Sequence, residues 1–97
     1  MSGLAPEGQG RKTVPTVTAE PVSATSIRCN NLQLVNDDGG VANGNTDVIY
    51  IGSIGVTIAT GLPLRPGVGF NFPSSNVENM YCIAGAPGQV LSWLAGG

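Results

Sequence analysis

Apolar positions along this chain recur in twos or come in short unbroken runs, and no stretch sustains the spacing of a helix. "NLQLVN" sets Leu32 and Leu34 on one face of a half-buried strand, while "VIYIG" and "MYCIAG" are apolar on both faces and predict central strands. "GVGFNF" alternates Val68, Phe70 and Phe72 to one side, "VLSWLA" supplies a closing strand, and "SIGVTIATG" predicts a turn and a further strand. "TVPTVTAEPV" is β-branched but interrupted by Pro15 and Pro21, which suits an edge strand and its continuation. The polar stretches "NDDGGVANGNTD", "PSSNVEN" and "APGQ" lie between these as loops and turns. Strands divided by turn signals at intervals of about 8–12 residues predict an all-β domain, a small antiparallel β-sandwich or jelly roll of about seven to eight strands.

The stiffest punctuation is "GLPLRPG". Pro63 and Pro66 each fix φ and remove an amide donor, and both push the preceding residue toward extended geometry. Pro66-Gly67 fits the central pair of a type II turn, in which Gly takes the positive φ. Such a turn sets the register of the next strand, so Val68, Phe70 and Phe72 are expected to point inward together and to form the main aromatic part of the core. Pro66 and Gly67 are thereby read as a corner that sets register, without a chemical role.

Residues 1–13 carry glycines and a proline and no periodic apolar pattern, which predicts an extended N-terminal arm that does not join the core. Residues 14–97 are then a single β-sandwich domain, as the length of 97 residues favours. A domain this small buries about 60–65% of its unfolded surface, so further burial against a partner has a large effect on it. Fifteen glycines and seven prolines agree with a loop-rich, turn-rich chain.

Charged residues make up only 10% of the chain, far below the usual content of roughly 25% for soluble domains. A surface with so little charge points to one that is covered in use. The net charge is −2, and the four basic residues Arg11, Lys12, Arg28 and Arg65 are scattered, which argues against nucleic-acid binding. No apolar run is long enough to cross a bilayer as a helix, and none follows Met1 as an export signal would require, so no membrane partner is expected.

The chain contains no histidine, so no Ser-His-Asp, Cys-His or histidine-based metal site can form. Among the acids Glu7, Glu20, Asp37, Asp38, Asp47 and Glu78, no spacing marks a general acid/base pair. "DDGGVANGNTDV" lacks the ligand spacing and terminal Glu of an EF-hand and reads as a solvated loop. We therefore expect no enzymatic activity, no catalytic or metal-binding residues and no cofactor. Two readings of Cys29 and Cys82 stay open: a disulfide closing a long loop, or two buried thiols. Trp93 is read as a core plug in preference to an interface anchor. The residues offered for partner contact are Leu4, Arg11, Lys12 and Arg65.

The order of segments resembles small virion structural proteins of tailed bacteriophages. The matching pieces are Ser23 to Cys29, Asn31 to Val35, Ile49 to Gly52, Gly61 to Gly67 and Asn76 to Tyr81, spread over about residues 20–95. The resemblance implies a non-enzymatic protein made in the bacterial cytoplasm and carried on the virion. Its leading form is a capsid decoration, or cement, protein on the capsid surface, with the major capsid protein and its own copies (a homotrimer or dimer) as partners. The alternatives are a tail-fibre or receptor- or glycan-binding module, or a tail or connector component.

Overall fold

The computed structural model describes residues 6–36 and 45–96, and among these eight strands form two antiparallel sheets. They are β1 (Pro6–Thr13), β2 (Glu20–Pro21), β3 (Arg28–Asn36), β4 (Ile49–Gly52), β5 (Leu62–Leu64), β6 (Gly69–Asn76), β7 (Tyr81–Ala84) and β8 (Val90–Gly96). A single turn of 3-10 helix, Val77–Asn79, joins β6 to β7. One sheet has the order β1-β8-β3-β6 and the other β2-β7-β4-β5.

These orders have a simple generator. β1 pairs with β8, β2 with β7, β3 with β6 and β4 with β5, all antiparallel. The chain is thus one long antiparallel ribbon that turns back on itself between β4 and β5. The ribbon wraps so that β3 also meets β8, and β4 also meets β7. That wrapping is the jelly roll, one of the two all-β architectures the sequence predicts.

Side-chain alternation assigns the faces. Leu32, Leu34 and Asn36 of β3 stand opposite Ala95, Trp93 and Leu91 of β8, and all face the second sheet. Ile49, Ile51, Leu64, Cys82 and Ala84 answer from that sheet, and Val77 closes one end; all are buried. The alternation breaks at Asn30 and Asn31, both exposed, so Cys29 turns inward just before them. Cys29 and Cys82 are two separate buried thiols on opposite sheets, which settles the disulfide question for the second reading.

The predicted turn is present. Val68 N–H donates to Arg65 O at 2.9 Å across Pro66-Gly67, and Gly67 has φ of 85°. Gly67 N–H and Val68 O both serve Asn36, at 2.6 and 3.0 Å, the arrangement of a bulge whose first residue is a left-handed glycine. This bulge fixes the β3–β6 register.

Three expectations need correction. Residues 6–13 are not an arm apart from the core: they are β1, an edge strand paired with β8 from Pro6 to Thr13. The glycines that made this stretch look unstructured make room for the indole of Trp93. A Cβ on Gly10 would lie 3.0 Å from ring atoms of Trp93, and one on Gly8 would lie 3.6 Å from them. Trp93 is accordingly packed against the core, though not wholly buried.

Second, residues 53–61 hold turns instead of a strand. Thr57 and Thr60 lock the turn: Thr57 N–H donates to Thr60 Oγ1 at 3.0 Å, and Ala59 N–H to Thr57 Oγ1 at 3.2 Å. Val56 is buried against Gly52 and Gly61, where any added Cβ would clash with its methyl groups.

Third, "PSSN" continues β6 instead of ending it. Phe70 and Val68 do point inward but are 39% and 40% exposed. β6 is the outermost strand of its sheet, and the strand facing it, β5, is only three residues long, so Phe70 is only partly covered.

Candidate interaction surface

Chemistry has little to start from. Among the described residues no three His, Cys, Asp or Glu side chains gather where they could hold a metal ion. The loop acids Asp37 and Asp38 and the contact candidate Leu4 lie outside the described residues.

The remaining contact candidates are dispersed. Arg11 and Lys12 adjoin in sequence but project from opposite faces of β1, because strand side chains alternate. Lys12 shares the inner face with Gly10 and pairs with Glu20 of the opposite sheet. Arg11 lies on the outer face beside Ser92. Arg65 stands exposed at the turn before β6, on the far side of the sandwich.

The two flanks of the sandwich differ in charge. The β1–β2 flank is crossed by the chain and carries an ion pair. The backbone passes from one sheet to the other through Val14 and Pro15, whose N–H and C=O bond to Gln89 O and Ala84 N, both at 2.9 Å. The Lys12–Glu20 pair sits just beyond that crossing, and the Cys82 Sγ–H donates to Glu20 O at 3.6 Å beneath it. Burial pushes the Cys82 thiol up to about 12; Lys12 opposes this and Glu20 adds to it.

A raised thiol pKa makes a pH prediction. The unfolded thiol ionises near 9, whereas the folded one stays protonated to about 12. The stability this provides is full below pH 9 and is lost as pH rises through that window, by up to about 1.4 kcal/mol per pH unit. Denaturant melts of wild type and Cys82→Ala from pH 8 to 11 should diverge in slope by that amount. Parallel slopes would mean that Cys82 does not carry the alkaline loss.

At the β5–β6 flank the chain also passes between the sheets, through residues 65–68, and apolar side chains lie exposed beside that crossing. Leu62, Val68 and Phe70 stand half-exposed along it, and Phe72 packs beside Phe70 with ring centroids 6.2 Å apart, edge to face. Ile54 and Ile58 add exposed apolar surface in the loop leading to β5. From Val48 to Val77 the chain carries one charge, Arg65. Apolar exposure with so little charge nearby makes this flank the candidate surface.

No family model, no curated protein and no solved structure matches this chain. The surface must therefore be read from its own geometry.

One further cluster is structural, and the sequence reading passed over it. At the end of the sandwich beside the 65–68 turn, Asn36, Asn45 and Gln89 form a buried amide network. Asn36 Nδ2 donates to Leu64 O at 2.6 Å and to Asp47 O at 3.0 Å, while its Oδ1 accepts from Asn45 Nδ2 at 2.6 Å. Asn45 exchanges two hydrogen bonds with the backbone of Val90. Gln89 Oε1 accepts from Thr46 and Asp47 N–H at 2.9 and 3.0 Å. The network ties β3, β5, β8 and the approach to β4. Its sequence signal was faint: Asn36 occupies an inward position in the alternation that Leu32 and Leu34 begin.

Proposed function

We propose that this chain is a structural protein of a virion, a capsid decoration or cement protein that binds between major capsid subunits and stabilises the shell. The observation that carries the reading is the set of partly exposed apolar side chains, Leu62, Val68 and Phe70, along the weakly charged β5–β6 flank. A domain with little charge and a thin core gains much by burying such a strip against a neighbour. The segment order shared with small phage virion proteins supports the same assignment.

The mechanism is mass action. A protein that binds the assembled shell but not its separated subunits stabilises assembly by RT ln(1 + [L]/Kd) at each site. Symmetry repeats that modest gain over the whole particle. Specificity then rests on shape and apolar contact, since β5 and β6 themselves carry no charge.

Purified protein mixed with purified capsids of its phage should co-sediment in a copy number that scales with the capsid subunits, and should raise the temperature at which shells release their contents. A few copies per particle would indicate a fibre or connector component, and no co-sedimentation would remove the virion assignment.

A further inference from the structure

The β5–β6 flank also indicates which neighbour it first meets. We propose that the outer edge of β6 pairs with the same edge of a second copy of this chain, antiparallel about a two-fold axis through Asn71.

Of the four strands at sheet edges, β6 is the one left suited to pairing. β2 has two residues and includes Pro21, and β5 has three and includes Pro63. β1 carries Arg11 and Lys12 and runs on into the chain crossing at Val14 and Pro15. β6 has eight residues and no charge. Long, uncharged edges of this kind join another strand unless they are blocked.

The bulge at Gly67 sets which groups are available. Asn36 N–H bonds Val68 O, so Val68, Phe70 and Phe72 turn their backbone groups toward β3, and Gly69, Asn71 and Pro73 turn theirs outward. Pro73 lies on the outward set and has no N–H, so it offers a second strand only its carbonyl, which accepts from Gly69 N–H of the other copy.

A dyad at Asn71 then produces three matches at once. Asn71 meets Asn71 of the second copy and the two exchange both backbone hydrogen bonds. Phe70 falls opposite Phe72 of the second copy on the inner face, so the half-exposed ring gains an aromatic neighbour at the close cross-strand spacing. Gly69 falls opposite Pro73, a position without a side chain facing a bulky ring.

Charge agrees independently. β6 is bracketed by two exposed charges, Arg65 before it and Glu78 after it, and no ion pair holds either among the described residues. Antiparallel pairing about Asn71 turns the Arg65 end of each copy toward the Glu78 end of the other, twice per dimer.

Strand pairing about Asn71 runs from Gly69 to Pro73, about 17 Å, which against a sandwich 18 Å thick gives roughly 300 Å² in plan per copy, an interface of the small class.

This inference goes beyond the virion reading and does not depend on it: the dimer takes up the β6 edge with Phe70, and leaves Leu62, Ile54 and Ile58 as the exposed apolar side chains for a shell. Light scattering should give twice the 9.8 kDa chain mass. Asn71→Cys should cross-link into dimers on mild oxidation, because a hydrogen-bonded antiparallel pair sets Cα atoms about 5.5 Å apart, within disulfide reach. Thr16→Cys, exposed at the β1–β2 flank, should not. Arg65→Glu should weaken the dimer about ten-fold, and the double variant Arg65→Glu, Glu78→Arg should restore it.

A monomer or a trimer by mass, or Asn71→Cys cross-linking no faster than Thr16→Cys, overturns the proposal. A dimer that ignores capsids keeps it while removing the function above, and a monomer that decorates capsids does the reverse.

Discussion

Deletion of residues 1–13 is expected to leave a chain that does not hold its fold. β1 covers the indole of Trp93 through Gly8 and Gly10, and it screens one side of Leu91 and Ala95. The hydrogen-bond ladder itself contributes little net, since each bond of about 0.5–1.5 kcal/mol is offset by ordering a residue at about 1–2 kcal/mol. Apolar burial decides the matter. Re-exposing half or more of an indole with an area of about 200 Å² costs roughly 2.5–4 kcal/mol at about 25 cal/mol per Å². The truncated chain also loses the Lys12 end of the ion pair with Glu20. Against a total of about 5–10 kcal/mol for a domain of this size, the remainder is marginal. The far-ultraviolet strand signal should collapse, and fluorescence of Trp93, the one tryptophan in the chain, should shift to the red. A truncated protein that keeps the wild-type emission and a cooperative melt would return residues 6–13 to the status of a dispensable arm.

The second large effect is expected at Asn36. Replacing it with Ala leaves Leu64 O, Asp47 O and Asn45 Nδ2 without the partner they now have. Unsatisfied buried polar groups cost about 1–3 kcal/mol apiece, so Asn36→Ala should lose about 3–5 kcal/mol in urea unfolding. Asn36→Asp should be worse at neutral pH, because a carboxylate presents lone pairs to the two carbonyls that now receive N–H bonds. A loss below about 1 kcal/mol for Asn36→Ala would mean that water takes the amide's place without penalty. The network would then be incidental to the fold.

Much of the jelly roll was legible in the sequence because strand physics is local. β4 and β7 announced themselves as two-faced apolar runs, and both are central strands. The type II turn at Pro66-Gly67 was fixed by two residues whose backbone preferences allow little else. What escaped notice depended on partners distant along the chain. Gly8 and Gly10 signal flexibility on their own and become an aromatic platform only when β8 arrives. The alternating Ile54, Val56 and Ile58 imitate a strand, but Val56 alone turns inward and the isoleucines stay exposed.

The candidate surface was half visible. Phe70 was expected inside, because alternation gives the direction of a side chain but not whether anything lies across from it. The half-exposed ring follows from the shortness of β5, which the sequence conceals among its prolines. Arg65, scattered among other basic residues in composition, acquires meaning only from its position just ahead of an open edge.

The ribbon that wraps into two sheets has a kinetic consequence. β4–β5 is the one pair that closes a short loop, and each pair outward from it requires a longer one, ending with β1 meeting β8 across nearly the whole chain. Loop-closure entropy rises along that series, which places folding in the slow, millisecond-to-second class of all-β domains. On the ribosome, β1 must wait for β8, so Trp93 finds its glycine floor only after every strand between them has been made.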